Sequence, residues 1–360
     1  MAKEGTKMTF SQFLKKQDIV FSPKRYFIDA LGAMAQGLFA SLLIGTILST
    51  IGTQCGIPIL VTIGGYASAV MGPAMAVAIG RALNAPPLVL FSLIAVGWAA
   101  ATCGGAGGPL AVFFIAIIAA EFGKLVSKTT PVDIIVTPIV TILVGGLLSV
   151  FAAPYIGIAA SSVGAAIMWA TNLQPFLMGM LVSAMVGIAL TLPISSAAIC
   201  AALGLTGLAG GAALAGCCAN MVGFAIISFR ENRWGGLLAQ GIGTSMLQMG
   251  NIVKNPRIWI PAIVASIVNG PIATCLFRLE MNGAAVSSGM GTCGFVGQIG
   301  VYTGWVNDVA AGTKAAITAV DWIGLIVVSF IVPAIVSWLV SLLLRKVGWI
   351  KENDLKLELK

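Results

Sequence analysis

Apolar runs long enough to cross a lipid bilayer recur along most of the chain, and a membrane-spanning helix needs about 20 such residues. Short polar breaks separate the runs of the first half, which lie at about 26–52, 57–80, 86–103, 109–123 and 132–153. The chain lacks the series of short alternating strands that indicates a closed barrel, so the spanning backbone must satisfy its hydrogen bonds inside helices. The pattern therefore predicts an all-α polytopic membrane protein.

Glycine, proline, serine and asparagine interrupt the apolar runs of the second half. Five more crossings are expected there, at about 174–193, 195–211, 213–229, 258–279 and 322–344. The segments near 200 could instead form a hairpin that dips partway into the membrane. The polar segments 234–253 and 283–306 are predicted to be re-entrant. The expected total is about ten transmembrane helices plus two re-entrant hairpins, because broken helices at membrane depth are tolerated only where they are buried or line a cavity.

Charge supports this interpretation and excludes nucleic acid as a partner. Only 9% of the residues are charged and 58% are apolar, whereas soluble domains carry about 25% charged residues. The net charge is +8, but the basic residues lie beside the apolar runs, before the first and after the last, and in alternate breaks at Arg81 and Lys124. The positive-inside rule therefore places both termini in the cytoplasm and makes the lipid bilayer the surrounding partner.

The order of these segments predicts four parts. Residues 1–25 form a cytoplasmic N-terminal segment, 26–172 a mostly uninterrupted first half, 173–344 a broken, polar second half with re-entrant segments, and 345–360 a cytoplasmic tail. Met8, Phe10, Phe13 and Leu14 fall close to one helical face, which predicts a short helix on the inner leaflet. A plain solvated, basic terminus is the alternative.

The residue types argue against an intramembrane enzyme. The chain has no histidine, and its seven cysteines show neither zinc-site spacing nor a C-x-x-C unit. Histidine is the commonest general base and the commonest metal ligand. No catalytic residue, metal or cofactor is therefore predicted.

Asn269, Gly270 and Pro271 lie together in a strongly apolar stretch and are followed by Thr274. A proline inside a helix frees backbone groups, and at membrane depth such groups can bind a polar solute. These four residues are predicted to bind substrate. The alternative is a simple proline kink that Asn269 caps.

A second group of candidate substrate-binding residues follows in a glycine-rich segment. Its members offer a carboxylate, amides, hydroxyls and closely approachable backbone, and they are Glu280, Asn282, Ser288, Gly289, Gly291, Thr292 and Gln298. Such groups suit a sugar or another polyol. Pairing of Glu280 with Arg278, and tight packing of the small residues between helices, are the structural alternatives. The G-x-G-x-x-G spacing at Gly289 is no dinucleotide site, since no buried strand precedes it.

The stretch Asn269-Gly-Pro-Ile-Ala-Thr274, with Gly289-Met-Gly-Thr-Cys-Gly-Phe-Val-Gly-Gln298, resembles the membrane IIC components of the bacterial sugar phosphotransferase system. It is most similar to the branch that includes PfoR-type toxin regulators. The resemblance implies a homodimer in the bacterial plasma membrane, in which 26–172 is the scaffold and dimerisation half and 173–344 is the substrate-carrying half. That second half would carry sugar by an elevator-like displacement while separate IIA and IIB proteins supply phosphate. This sequence departs from the better-studied branches of the family in having no histidine. Those branches carry a histidine and a glutamate in the substrate site.

Two functions remain open at this stage. The first is a permease for a sugar or related polar solute, with phosphorylation coupled through separate subunits. The second is a membrane sensor or regulator that kept the transporter fold and no longer transports.

Overall fold

The computed structural model describes residues 9–357, and within them nearly all regular structure is helical. Helix α1, Phe10–Lys16, confirms that a short helix precedes the first apolar run. Met8, which was assigned to that helix, and the last three residues of the tail lie outside the described residues.

The helices of the first half begin close to the predicted apolar runs. They are α2 Arg25–Gln54, α3 Pro58–Ala69, α4 Met71–Ala82, α5 Pro87–Gly104, α6 Gly108–Val126, α7 Asp133–Phe151 and α8 Ala153–Thr171. Proline occupies the first turn of several of them, where its missing N–H has no helical partner to lose. Helix α8 was not predicted as a separate helix, because the apolar runs assigned to the first half, 26–172, end near 153.

The apolar stretch Pro87–Val126 is too long for one crossing, at 40 residues. Gly105 interrupts it with a φ of +51°, which a residue with a side chain rarely adopts. A Cβ atom placed on Gly108 would lie 2.8 Å from the carbonyl oxygen of Ala101, so α6 folds back along α5. The two helices therefore form an antiparallel hairpin.

The second half is built from longer helices joined by short helical pieces. They are α9 Pro175–Thr191, α10 Ser196–Ala202, α11 Gly207–Ile227, α12 Phe229–Leu238, α13 Met249–Lys254, α14 Pro256–Leu276, α15 Ala285–Ser288, α16 Val296–Ala310 and α17 Ala319–Lys346. The crossing predicted at 195–211 is not among the candidate spans of the described residues, because the short α10 occupies that region. The crossing predicted at 213–229 corresponds to the long α11, which has the length and composition of a span.

By length and composition, seven helical stretches of the described residues could cross a membrane, with α5 and α6 counted together as one stretch. The number is eight if the α3–α4 pair, which bends by 48°, is counted as a further span. The expected ten crossings are therefore not confirmed. The multi-pass helical class is confirmed.

Glycines bring α9, α11 and α14 into direct backbone contact. A Cβ atom on Gly216 would overlap the carbonyl oxygen of Ser183, and one on Gly270 would overlap that of Gly179. Small residues at helix crossings allow this approach in membrane proteins. The three helices form a tightly packed unit at the centre of the second half.

Both ends of the described chain lie at one face of the fold, here named the terminal face. Lys124 Nζ donates to the carbonyl of Asp18 at 2.8 Å, and Asn251 Nδ2 donates to the carbonyl of Lys356 at 2.9 Å. Ile28 lies beside Gly250, so the N-terminal and C-terminal segments meet there. This common face agrees with the prediction that both termini lie on the same side.

Candidate functional site

Three interruptions of helical structure in the second half meet at one place. The first is the turn 192–195 between α9 and α10. The second is the segment 239–248 inside the first hairpin, which comprises residues 229–254. The third is the loop 289–295 inside the second hairpin, which comprises residues 285–310. Interrupted helices expose backbone N–H and C=O groups that an intact helix would satisfy.

The first hairpin begins and ends at the terminal face, with Arg230 at its start and Lys254 at its end. Its tip contains Thr244 in an extended conformation with a φ of −158°, and the Thr244 hydroxyl accepts a hydrogen bond from the backbone N–H of Met246 at 3.2 Å. A Cβ atom on Gly243 would overlap the ring of Phe39. The hairpin tip therefore lies directly against α2.

The second hairpin turns through Gly291, Gly294 and Phe295, all of which have positive φ. Two of the three are glycines, which adopt this region without steric cost. Gly291 packs on the backbone of Cys217 in α11, and the hydroxyl of Thr292 donates to the carbonyl of Gly241 in the first hairpin. The two hairpin tips are thus joined by a hydrogen bond.

The turn between α9 and α10 contacts both the second hairpin and the first half of the chain. The hydroxyl of Ser196 donates to the carbonyl of Gly289 at 2.8 Å, and the backbone N–H of Ser195 donates to the carbonyl of Ala106 at 3.0 Å. Ala106 lies in the turn between α5 and α6. This contact connects the two halves.

A small cavity lies where these elements meet α2, and we name it the junction cavity. Its volume is about 50 Å³. Its walls come from α2, from the start of α6 and from all three interruptions, and are formed by Leu38, Leu42, Leu43, Pro109, Leu190, Ile194, Ser195, Ser196, Ala197, Gly243, Thr244, Met246, Met290 and Cys293. The first half contributes apolar side chains, and the second half contributes all the hydroxyls. The cavity is smaller than the roughly 300 Å³ at which ligand pockets begin.

A buried polar network lies beside the cavity and centres on Asn220. Its Oδ1 accepts from Trp259 Nε1 at 3.0 Å and from the Thr191 hydroxyl at 3.1 Å, while its Nδ2 donates to the Ser266 hydroxyl at 3.0 Å. Ser245, at the first hairpin tip, lies 2.8 Å from the Thr191 hydroxyl. The network ties the tip to α9, α11 and α14. Sequence reasoning missed it, although a lone amide within the apolar run of α11 was a usable signal.

Comparison with known protein families identifies the family of this chain. The family model for the EIIC component of the phosphotransferase system matches residues 28–357. This chain belongs to the EIIC family. Curated proteins and solved structures gave no match to it. The resemblance drawn from the Asn269 and Gly289 stretches is confirmed at the level of the family, and membership of the PfoR-type branch stays a prediction.

In this EIIC chain, the predicted residues Asn269, Gly270, Pro271 and Thr274 lie where α14 packs on its neighbours. Asn269 is fully buried, and its Nδ2 donates to the carbonyls of Ala215 at 2.9 Å and Val328 at 2.8 Å. The Thr274 hydroxyl donates to the Pro175 carbonyl at 2.8 Å. These donors are occupied by the protein itself. The Oδ1 atom of Asn269 is buried without a hydrogen-bond partner among the described residues, and a role of this segment in substrate binding stays a prediction.

Glu280 and Asn282 lie elsewhere, in a polar cavity of about 400 Å³ beside the start of α17. Asn282 Nδ2 donates to Asp308 Oδ2 at 2.8 Å and to Glu280 Oε2 at 3.3 Å, and Lys314 pairs with Asp321 at 2.9 Å. The alternative pairing of Glu280 with Arg278 is not among the ion pairs of the described residues. The cavity lies at the end of α17 opposite Arg345, and hence opposite the terminal face.

The remaining predicted residues lie at or near the second hairpin tip. Ser288 is buried and its hydroxyl donates to the Ala285 carbonyl at 2.7 Å. Gly289, Gly291 and Thr292 make the tip contacts given above. Gln298 Nε2 donates to the Ser329 hydroxyl at 2.9 Å, and its Oε1 is buried without a hydrogen-bond partner in the described structure. The predicted residues therefore occupy three separate places: the α14 contact, the polar cavity and the hairpin tip.

Proposed function

We propose that this EIIC chain translocates a sugar or a related polar solute, and that the cargo binds at the junction cavity when the two halves separate. The observation that carries the proposal is the convergence of all three helix interruptions on one point facing α2. Ser195, Ser196 and Thr244 line this point. Each of their hydroxyls makes one bond within the protein, to Ala198, Gly289 or Met246, and keeps capacity for a further hydrogen bond. Sugar hydroxyls need such donors and acceptors to replace their hydration at membrane depth.

An elevator-like displacement of the second half along the first is the proposed movement. The α9, α11 and α14 unit is held by backbone contacts at Gly216 and Gly270, so it moves as one body. The surface that it faces across the junction cavity is apolar, with Leu38, Leu42 and Leu43. Apolar surfaces are non-directional in their attraction, so they permit sliding at little cost in hydrogen bonds. A cavity of about 50 Å³ corresponds to a closed arrangement.

The proposed topology has eight crossings: α2, the α3–α4 pair, α5, α6, α7, α11, α14 and α17. Helix α8 is also long and apolar enough to cross, but it is not counted, because α7 ends and α9 begins on the side opposite the terminal face. Helices α9 and α10 form a further re-entrant pair, because Pro175 at the start of α9 bonds Thr274 near the end of α14, and Gly207 after α10 exchanges two backbone hydrogen bonds with Met281. An even number of crossings agrees with the common terminal face. The basic residues there favour a cytoplasmic orientation in the bacterial plasma membrane.

The oligomeric state and the coupling of transport to phosphorylation are proposed from membership of the EIIC family. We propose a homodimer formed by the first half, where Ile134, Ile135 and Leu147 of α7 are more than half exposed. We propose that separate IIA and IIB proteins, the partners that an EIIC component implies, supply the phosphoryl group for the sugar. No observation favours the sensor hypothesis over transport.

Disulfide trapping combined with uptake tests the proposal. Cysteines replace Ser195 and Ala106, whose backbones are hydrogen-bonded across the two halves, and serines replace the exposed Cys55, Cys103 and Cys275. Oxidation should stop saturable sugar uptake in proteoliposomes supplied with IIA and IIB, and a reductant should restore it. The control pair replaces Ser183 and Ser266, which lie within one unit and should not block uptake when oxidised. Saturable uptake that persists with a fully formed crosslink between positions 195 and 106 contradicts the elevator movement, and absence of saturable uptake by the wild-type protein contradicts transport.

A further inference from the structure

A groove between α12 and α17 lies apart from the junction and polar cavities, and we name it the lateral groove. Its volume is about 370 Å³. Its walls are mostly apolar, with Ile226, Phe229 and Leu237 on one side and Trp338 and Leu342 on the other. Ligand pockets begin at roughly 300 Å³, so this groove has room for a length of hydrocarbon chain.

Two exposed tryptophans border the groove. Trp234 is 69% exposed and Trp338 is 50% exposed. The ring of Trp234 stands edge-on to that of Phe229 at 5.4 Å. Tryptophans at the ends of membrane helices occupy the level of the lipid headgroups, where one edge contacts hydrocarbon and the N–H contacts polar groups. The lateral groove therefore lies at the boundary between headgroups and hydrocarbon, at the terminal face.

Basic side chains provide the polar end of the groove. Arg230 lines it, is exposed, and makes no hydrogen bond or ion pair with the described residues. Arg345 also lines it, and its Nη2 donates to Glu231 Oε1 at 2.8 Å and to the Ile227 carbonyl at 3.2 Å. Glu231 is thus already neutralised by Arg345. Arg230, together with Arg233 beside Trp234, leaves an excess of positive charge that no carboxylate of the described structure pairs.

We propose that the lateral groove binds an anionic phospholipid, with an acyl chain between Leu237 and Leu342 and the phosphate beside Arg230. Guanidinium groups bind phosphate through parallel N–H donors, and anionic lipids attract basic residues close to the membrane surface. One wall belongs to the first hairpin and the other to α17. A lipid bound there connects the hairpin to a helix outside it, and its occupancy stabilises the hairpin against separation from α17.

The test uses the full-length protein, purified and stripped of lipid, with phosphatidylglycerol and phosphatidylcholine of identical acyl chains as probes. Bound lipid is counted by mass spectrometry of the intact protein during titration, so no transport activity is needed. The wild-type protein should retain phosphatidylglycerol more tightly than phosphatidylcholine. The double variant Arg230→Gln, Arg233→Gln should bind phosphatidylglycerol about 30-fold more weakly than the wild-type protein does, because each arginine near the lipid surface contributes about fivefold.

Two controls keep the outcome decisive. The variant Lys128→Gln, Lys351→Gln removes the same charge from exposed positions outside the groove and should bind as wild type. Trp234→Ala alters only an exposed side chain and should weaken retention of both lipids through lost acyl contact, while the fold stays intact. Equal affinity for the two lipids in the wild-type protein, or an unchanged affinity in the Arg230 and Arg233 variant, overturns the proposal.

Discussion

Trp259 and Thr191, on different helices, both donate to the single Oδ1 atom of Asn220, at 3.0 and 3.1 Å. The amide of the same side chain donates onward to Ser266 at 3.0 Å. One fully buried asparagine therefore satisfies polar groups on α9 and α14, and the network continues through Thr191 to the tip of the first hairpin.

Replacing Asn220 by leucine should destabilise the protein by about 1–3 kcal/mol, because the buried donors of Trp259 and Thr191 lose their acceptor. Thermal unfolding in detergent measures the change. Asn307→Leu is the matched control, since Asn307 is exposed, and it should leave the melting temperature close to wild type. Equal melting temperatures for both variants would show that the network contributes nothing.

Gly270→Ala should destabilise the packing of α14 on α9, because its Cβ would overlap the carbonyl oxygen of Gly179. Overpacking of this kind costs about 1–3 kcal/mol. Gly146→Ala serves as control, since Gly146 is also helical and has no atom within 4 Å of an added Cβ. Scanning calorimetry of the two variants should show a lower transition for Gly270→Ala alone. A transition shared with wild type would exclude close backbone contact at this crossing.

Truncation after Lys351 should loosen the first hairpin. Leu355 is fully buried, and its carbonyl accepts from Asn232 Nδ2 at 2.8 Å and from Gln248 Nε2 at 3.0 Å. Truncation removes the acceptor of the Asn232 and Gln248 side-chain amides. The hairpin should then open more often, so backbone amide hydrogen exchange across 229–254 should accelerate. Mass spectrometry of peptides from that region provides the measurement. Glu352→Ala, at an exposed tail position, should not change the exchange, and unaltered rates in the truncated protein would argue against the contact.

Acid should remove a contribution that Asp18 makes at the terminal face. The hydrogen bond from the Arg25 guanidinium, at 3.2 Å between Nη1 and Oδ1, lowers the pKa of Asp18 against the opposing effect of burial. Since the folded pKa lies below the unfolded value of about 3.9, the stabilisation is complete above that pH and is lost as pH falls through the folded pKa. Asp18→Asn should therefore be less stable than wild type at pH 7.

The difference between these two proteins is expected to be at most about 1 kcal/mol, because the Asp18 side chain is 47% exposed and solvent screens it. This stability difference should shrink as the pH falls below about 4, and thermal unfolding at each pH measures it. A difference that stays constant down to the acid limit would mean that the carboxylate charge is not its source.

The family followed from the resemblance carried by the Asn269–Thr274 and Gly289–Gln298 stretches. The interruptions near 244 and 291 followed from Arg233, Lys254 and the glycines after Ser288, which mark where apolar helices break, while their re-entrant nature stays a prediction. The division near 200 did not follow from the sequence, since Leu205, Thr206 and Gly207 interrupt an apolar run whose length alone resembles a crossing. The contacts of Asn269 were beyond sequence reasoning for another reason. An amide beside a proline has the same pattern whether it faces a solute or, as here, the carbonyls of Ala215 and Val328.

The docking of the tail under the first hairpin has a consequence for biosynthesis. The Asn251 side-chain amide donates to the carbonyl of Lys356, which lies 105 positions later in the chain. The Asn232 side-chain oxygen accepts from the backbone N–H of Leu357, which lies 125 positions later. At about 5–20 residues per second, translation leaves these amides without their final partners for roughly 5–25 s. The hairpin thus reaches the bilayer before the segment that completes its hydrogen bonds has been synthesised.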